Sequence, residues 1–463
     1  KRVKHEIKEK SHMSTALIIL AAGKGTRMKS DLPKVLHPIG QAPMLAHAMK
    51  AGQALEPKKT VIVAGHEAEM VSAAVADIDE AAEVVLQVEQ LGTAHAVDQA
   101  REALADFEGD VVVLYGDTPF LQPDTLERMV AARASAELVI LGFNAADPAR
   151  YGRLVMNGDS LERIVEFKDA SEEERAISFC NSGLMACDAK LLFDLIAKVD
   201  NKNASEEYYL TDIVELARAE GRKVTAVACD ESETLGVNSR ADLARADAVF
   251  QSRARDELLE MGVTLMAPET VYLSLDTFIG RDAVIEPNVV FGPGVTVESG
   301  ALIRAFSHLE GCHVSRGAKV GPYARLRPGA ELAEDTHIGN FVEIKNAEIA
   351  EGAKVNHLSY IGDASVGKNT NIGAGTITCN YDGVMKHHTE IGANAFIGSN
   401  TMLIAPVKVG NEAMTATGAI ITKDIEDEAL AIGRTPQTNK PGRARKLMDM
   451  LRAKKKKRDE GAS

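Results

Sequence analysis

From residue 264 to residue 421 the chain repeats itself every six residues. Aliphatic positions followed by small or polar ones recur at Ile279, Ile285, Phe291, Val297 and Ile303. After one five-residue slip they resume at Val314, Val320, Leu326, Leu332, Ile338 and Ile344, and later at Ile391, Ile397, Leu403 and Val409. A period of six matches neither a helix nor the alternation of a single strand, but it matches a parallel β-helix whose triangular coils each take three hexads. Each aliphatic then points inward and stacks on its counterpart in the next coil. Glycines directly after many of them, such as Gly280, Gly321, Gly339, Gly373 and Gly398, suit corners with tight backbone approach. A β-sandwich would instead place turn clusters every ~8–12 residues. The period breaks between Thr378 and Ile391, thirteen residues and one more than two hexads, so CNYDGVMKHHTE is expected to leave the prism as a loop.

The first half has a different rhythm. Apolar runs ALIILAA (from Ala16), TVIVAG, VVVLYGD and ELVILGF alternate with helix-length stretches such as Pro43 to Leu55. That pattern predicts a Rossmann-like α/β domain with a mostly parallel sheet covered on both faces. Ligands of such sheets sit beyond the carboxyl ends of the strands. The loop after Ala22, the loop after Tyr115 and the segment Gln87 to Thr93 should therefore lie together. Between the halves, RADLARADAVFQSRARDELLEMG puts Leu243, Ala246, Phe250, Ala254 and Leu258 on one helical face. A helix of that length spans roughly 30 Å and is expected to act as a spacer. The expected organisation is an α/β domain over 14–238, a linker helix over 239–262, a left-handed β-helix over 263–437 and a basic, solvated tail over 438–463. Residues 1–12, charged, aperiodic and running into Ser-His-Met, read as an expression scar outside the fold.

Composition narrows the partners. A formal net charge of −14 argues against nucleic acid, although a local Lys/Arg cluster can still grip phosphorylated small molecules. No apolar stretch approaches the ~20 residues of a membrane span, and no secretory segment is evident, so the expectation is a cytoplasmic protein. Five cysteines without a CxxC pair read as reduced thiols rather than a metal site.

LAAGKGTRMKSDLPK, residues 20–34, ends a strand and opens a glycine loop. Gly23 and Gly25 remove side chains so that backbone N–H groups can approach a polyphosphate, Leu20, Ala21 and Ala22 lead into this nucleotide-binding loop, and Lys24, Arg27 and Lys34 supply positive charge. Thr26-Arg27 after Gly25 excludes a Walker A loop, and Met28 stands where a dinucleotide fingerprint needs its third glycine. The string resembles the sugar-1-phosphate nucleotidyltransferases, whose signature joins a Gly-x-Gly-Thr-Arg loop to a nearby Pro-Lys. The resemblance continues through Gln87 and LGT (91–93), YGD (115–117), YGR (151–153), Glu166, NSG (181–183), EEYYLTD (206–212) and GVN (236–238). It implies that Gln87, Gly92 and Thr93 read the uracil of UTP, with Tyr115 and Asp117 also at the nucleotide. It further implies that Asp117 and Asn238 hold Mg²⁺, and that Gly152, Glu166, Asn181 and Asn238 line the sugar-phosphate site. The implied reaction is attack of a sugar-1-phosphate oxygen on the α-phosphate of UTP. Arg27 and Lys34 would neutralise charge as pyrophosphate leaves.

Within the hexads, HLSYIGDA (357–364) and NIGAGTITCNYDG (371–383) resemble hexapeptide acyltransferases that use a coenzyme A thioester. Taken with the first half, the resemblance runs from about Ala16 to Gln437. It is closest to the bacterial bifunctional enzymes joining a UDP-N-acetylglucosamine pyrophosphorylase to a glucosamine-1-phosphate N-acetyltransferase. Position by position it implies His357 as general base and the Ala374 N–H as oxyanion donor. An amine attacking a thioester must shed a proton, and an imidazole can take it near neutral pH. Arg327, Lys345, Tyr360, Asn371 and Lys386 would bind the amino-sugar phosphate. Ala374, Asn380, Tyr381, Ser399, Thr417 and Arg434 would lie along acetyl-CoA, Thr417 departing from the family's usual alanine. His387 and His388 read as exposed loop residues. The implied assembly is a homotrimer with acetyl-transfer sites shared between neighbours, and the implied product is the sugar donor for peptidoglycan and lipopolysaccharide.

Two other readings compete: a single-activity sugar-1-phosphate nucleotidyltransferase with a structural or allosteric β-helix, and a non-catalytic assembly subunit. The first has no use for HLSYIGD and the NYDG loop. The second has no use for Lys34, Asp117 and Asn238 together.

Overall fold

The computed structural model describes residues 14–460 except Arg150 and Ala204; the expected scar at 1–12 lies outside the described residues. The chain forms two compact units. One runs up to Glu260 and includes Val271–Thr277 and Phe291–Pro293, and the other contains the rest.

The first unit is built on a sheet in which Thr15–Ala21 is central, because its seven residues TALIILA are apolar enough to be buried on both faces. Parallel neighbours Lys59–Ala64 and Asp110–Tyr115 flank it. Glu83–Leu86 extends one side. On the other, Phe179–Asp188 runs antiparallel between Asp110–Tyr115 and Leu138–Asn144, and Val224–Cys229 closes the edge. The antiparallel strand and the hairpin Arg153–Asn157/Ser160–Val165 are absent from the sequence reading. Alternate residues of the central strand feed two cores: Ile18 and Leu20 join Val113 and Ile140 on one face, while Leu17 and Ile19 join Leu45 and Leu114 on the other.

The helix Arg240–Glu260 is more than a spacer. Ala246, with Leu243, Val249 and Phe250 beside it, packs against Ile39, Met44, Phe120 and Val237. Gln251 fixes it further, exchanging two hydrogen bonds of 2.8 and 2.9 Å with the backbone of Leu273. The first part of the predicted face, Leu243, Ala246 and Phe250, is thus covered by the α/β unit itself.

The second unit is a left-handed parallel β-helix. One face carries ten parallel strands from Thr264–Leu265 to Leu430–Ala431. Its buried row Ile285, Ile303, Val320, Ile338, Val355, Ile372 and Ile397 stacks along the prism, each at most 2% exposed. A second row is Ile279, Val297, Val314, Leu332, Ile349, Val366, Ile391 and Val409, and a third is Leu309, Leu326, Ile344, Ile361, Thr378, Leu403 and Ile421. The slip of five recurs, at Leu309 to Val314, Ile344 to Ile349 and Ile361 to Val366, because one side of those coils is shorter by a residue. The glycines after the aliphatics serve close approach between coils. A Cβ on Gly339 would stand 2.0 Å from the Asn356 carbonyl oxygen of the next coil.

The expected loop is real but sized differently. Successive third-row positions Ile344, Ile361 and Thr378 are 17 residues apart, whereas Thr378 to Leu403 is 25, so eight residues are added to one coil. The loop is self-closed. Tyr381 bridges Lys386, Asp382 Oδ1 accepts from Val384 and Met385 N–H at 2.8 and 2.7 Å, and His387 Nε2 meets Asp382 Oδ2 at 2.7 Å. His387 is therefore a clamp, correcting its reading as an idle exposed residue. Its hydrogen bond, then those two amides, hold the Asp382 carboxyl down at about 2. The terminal segment Arg443–Glu460 is solvated as expected, yet helical.

Candidate active sites

The three loops expected to meet beyond the sheet do so. Gln90 Nε2 donates to the Ala22 carbonyl at 2.8 Å, tying the third loop to the first, and Gly116 N–H donates to Leu20 O at 3.0 Å, tying the second. Lys34 begins a short 3-10 turn after Pro33, and its ammonium reaches across to the Asp117 carboxylate. Asn238 Oδ1 accepts from the same ammonium at 3.2 Å. Val237 N–H bonds Asp117 O at 3.2 Å, and Asp242 Oδ2 accepts from Asn238 N–H at 3.2 Å, so the two oxygen donors are fixed to one another and to the start of the long helix. A carboxylate oxygen and an amide oxygen converging on one cation are the donor chemistry that a hard divalent ion needs. Arg27 and Lys24 are exposed on the loop, free to meet phosphates from outside.

Gln87 follows the strand Glu83–Leu86 and is buried, donating from Nε2 to Gly92 O at 3.1 Å and meeting His95 Nδ1 at 3.1 Å. Gly92 has φ 122°, and a Cβ there would lie 2.4 Å from Tyr208 O, so only glycine lets the LGT loop press against EEYYLTD. Thr93 Oγ1 accepts from Leu210 N–H at 2.9 Å and Ala94 N–H donates to Tyr208 O at 3.0 Å, completing that seam.

The residues expected to line the sugar site lie near Tyr115. Asn181 N–H donates to Gly152 O at 2.8 Å, and a Cβ on Gly152 would be 3.3 Å from Glu166 Oε1. Burial, then Asp169, push the Glu166 carboxyl up, with Arg153 opposing. Burial, then Glu215, Asp200 and Glu166, push Asp212 up to about 6. Burial, then Asp117 and Glu166, push the Tyr115 phenol up. Clustered carboxyl groups short of donors suit sugar hydroxyls, which supply O–H donors. Gln90 and Arg240, whose guanidinium meets Met28 O at 3.3 Å and His37 Nδ1 at 3.2 Å, are neighbours the sequence reading passed over, whereas Asp212 ends the EEYYLTD string it singled out.

In the β-helix one corner collects the acetyl-transfer candidates. Leu358 N–H donates to Asn340 O, Gly375 N–H to His357 O, Asn400 N–H to Ala374 O and Gly418 N–H to Ser399 O, at 2.7–3.1 Å. Asn340, His357, Ala374, Ser399 and Thr417 therefore occupy the same corner of successive coils, at a coil spacing of about 4.8 Å. The residue after each has positive φ: Phe341, Leu358, Gly375, Asn400 and Gly418, bulky on the first two coils and small or polar on the last three. Among the described residues, Ala374 N–H donates to no protein acceptor, as an oxyanion donor requires. Arg434 donates to Thr417 O at 2.7 Å. His357 Nδ1 meets Asn340 Oδ1 at 2.7 Å.

Cations gather at a neighbouring corner. Strands Glu343–Ile349 and Tyr360–Val366 run through it with Asn346 and Asp363 in left-handed conformations. Asp363 accepts from Asn346 Nδ2 at 2.6 Å and from Asn380 Nδ2. Asn380 is thus buried in this ladder with its amide Nδ2 on the Asp363 carboxylate. Burial opposes the ionised Asp363, but these two donors, Lys345 and Lys386 together keep its carboxyl below the usual range. Lys386 depresses Lys345, with burial adding to it. Two ammonium groups this close, with Arg327 near and paired to Glu343 at 2.8 Å, form a site that an arriving phosphate relieves. Asn371 lies on the other face, in register between Lys354 and Phe396. Tyr381 is exposed, its hydroxyl donating to Gly383 O at 2.6 Å.

All five cysteines are free, and burial pushes Cys187, Cys229 and Cys312 up to about 12, far from thiolate chemistry. No described helix is long and apolar enough to cross a membrane.

Residues 17–179 match the MobA-like NTP transferase domain, 276–311 match the bacterial transferase hexapeptide (six repeats), and 389–423 match the hexapeptide repeat of succinyl-transferase. The bifunctional protein GlmU of Ruegeria sp. (strain TM1040) is 78% identical over 449 residues, covering 97% of this chain and all of that protein. That of Ruegeria pomeroyi is 78% identical over 443 residues, 96% of this chain and 98% of that protein. That of Cereibacter sphaeroides (strain ATCC 17025) is 65% identical over 443 residues, again 96% and 98%. On these full-length similarities, resting on a nucleotidyl-transfer unit and a hexapeptide prism in one polypeptide, the chain belongs to the GlmU family of bifunctional proteins.

Proposed function

We propose that this bifunctional enzyme acetylates glucosamine-1-phosphate with acetyl-CoA on its β-helix. It then transfers UMP from UTP to N-acetylglucosamine-1-phosphate on its α/β unit, releasing pyrophosphate and UDP-N-acetylglucosamine. The observation that supports this reading is that one chain holds both groupings: Lys34, Asp117 and Asn238 joined beyond the sheet, and His357 and Ala374 aligned on one corner.

In acetyl transfer, Arg327, Lys345 and Lys386 grip the phosphate and so set the amine against the thioester. As the amine attacks the carbonyl carbon, His357 takes its proton, Ala374 N–H holds the oxyanion, and collapse expels coenzyme A as thiol. Ser399, Thr417, Tyr381 and Arg434 would line the coenzyme along the row above. In uridylyl transfer the glycine loop binds the UTP phosphates, while Gln87, Gly92 and Thr93 present backbone and amide groups to the base. Glu166, Asn181 and Gly152 orient the sugar so that its phosphate oxygen lies in line with the α-phosphate. Mg²⁺ would be held by Asp117 and Asn238, and when bound it neutralises charge on the reacting phosphates. Lys34, beside those two oxygens, would supply further positive charge to the phosphates.

The test is purified protein given glucosamine-1-phosphate, acetyl-CoA, UTP and Mg²⁺, with free thiol and pyrophosphate followed separately. Thiol release should need only the first two, and pyrophosphate release should depend on prior thiol release. Pyrophosphate without acetyl-CoA at the same rate would overturn the order, and no thiol release would overturn the second activity. We further read the enzyme as a cytoplasmic homotrimer, since the flat prism faces suit packing about a threefold axis. Sedimentation equilibrium should give three times the 49.6 kDa chain mass, and a fully acetyl-transferring monomer would refute it.

A further inference from the structure

We infer that Asn340 is the positioning residue that makes His357 a base, by fixing which ring nitrogen carries the proton. The inference rests on the reading of His357 as the group that takes the amine proton. The two residues are opposite one another on adjacent parallel strands, His337–Asn340 and Lys354–His357, paired in register with a 2.7 Å contact between Asn340 Oδ1 and His357 Nδ1. An amide oxygen can only accept. The contact therefore requires the proton on Nδ1 and leaves the lone pair on Nε2. The opposite tautomer would leave Nε2–H at the far end of the ring, a donor that cannot take a proton from an amine.

The backbone makes this pairing stiff. Leu358 N–H bonds Asn340 O at 3.1 Å below, and His357 O accepts from Gly375 N–H at 3.1 Å above, so the His357 main chain is held on both sides. One residue before Asn340, Gly339 has the Asn356 carbonyl so close that any side chain would push the strands apart. Three consecutive coils thus present Asn340, His357 and Ala374 in a line: the tautomer lock, the base and the oxyanion donor. The amide adds no charge, so it sets orientation and tautomer without adding a counter-ion that would hold the proton on the imidazole after transfer.

The experiment compares Asn340→Ala, Asn340→Leu and Asn340→Asp in the full chain. It follows acetyl-transfer kcat and KM, circular dichroism, and the ¹⁵N solid-state spectrum of ¹⁵N-histidine protein, with the His357 signals assigned by difference from His357→Gln. In the parent protein His357 should be protonated on Nδ1. Alanine and leucine should each lower kcat at least tenfold, with both KM values within twofold, and should mix the tautomers. Leucine preserves bulk should alanine disturb the fold. Aspartate, which accepts the same N–H but adds a counter-ion, should keep the Nδ1–H form and give a kcat above that of alanine and leucine without reaching the parent value. Protonation on Nε2 in the parent protein, or kcat lost in all three variants with unchanged spectra, would overturn the inference. A spectrum that responds to Asn340→Ala while kcat does not would instead remove His357 as the base and leave its pairing with Asn340 intact.

Discussion

His357→Ala is expected to lower acetyl transfer about a thousandfold, within the range a positioned base contributes, and to leave uridylyl transfer within twofold. The imidazole is exposed at the corner, its Nδ1 committed to Asn340 and its backbone to the coils on either side. Removing it takes away the proton acceptor without leaving a void in the prism, whose core rows at that level are Val355 and Ile361. Fold and coenzyme binding should survive, so the loss should fall on kcat rather than on KM. Thiol release with acetyl-CoA and glucosamine-1-phosphate measures the first activity, and pyrophosphate release with UTP and preformed N-acetylglucosamine-1-phosphate measures the second. Equal loss of both would contradict independent sites. Retained thiol release would assign the base elsewhere, and would revive a β-helix that serves only structure or regulation.

The β-helix was legible because burying one residue in six leaves a period that no other fold produces, and Ile338, Val355 and Ile372 are its direct expression. The lengths of individual sides were not, since a five-residue side and a six-residue side differ only in how the corner turns. The loop after Thr378 was visible as a broken period, while its true excess depends on the 17-residue coil that only register reveals. The same register explains why Asn340 went unseen: it lies 17 residues before His357, remote in the chain and adjacent in space. Folding the hexads onto successive coils would have brought HIGN beneath VNH. In the α/β unit the short continuous runs betrayed the parallel strands. Phe179–Asp188 escaped because FCNSGLMACD carries Asn181, Ser182 and Gly183 in mid-strand, where the pairing with Leu138–Asn144 shifts register. Within that irregularity Asn181 Oδ1 accepts from Gly183 N–H at 2.9 Å. The same Asn-Ser-Gly motif that suggested a site made the segment poorly readable as a strand.

Asp117→Ala should produce the opposite separation: pyrophosphate formation lower by about a hundred- to a thousandfold, roughly 3–4 kcal/mol of lost stabilisation, with acetyl transfer unchanged. Asp117 supplies the one full negative charge in the pair of oxygens that face Lys34, so its loss weakens any cation held there and frees the ammonium at the same time. Asn238 offers a neutral oxygen, and Asn238→Ala should cost less, about tenfold, because an amide dipole holds a divalent ion more weakly than a carboxylate. Manganese binding without nucleotide, followed by electron paramagnetic resonance, separates the two consequences. Affinity should fall in both variants and fall further in Asp117→Ala. Metal-dependent pyrophosphate release at the parent rate in Asp117→Ala would remove this carboxylate from the cation site. Unchanged manganese affinity with lost turnover would instead give Asp117 the single task of holding Lys34 toward the phosphates.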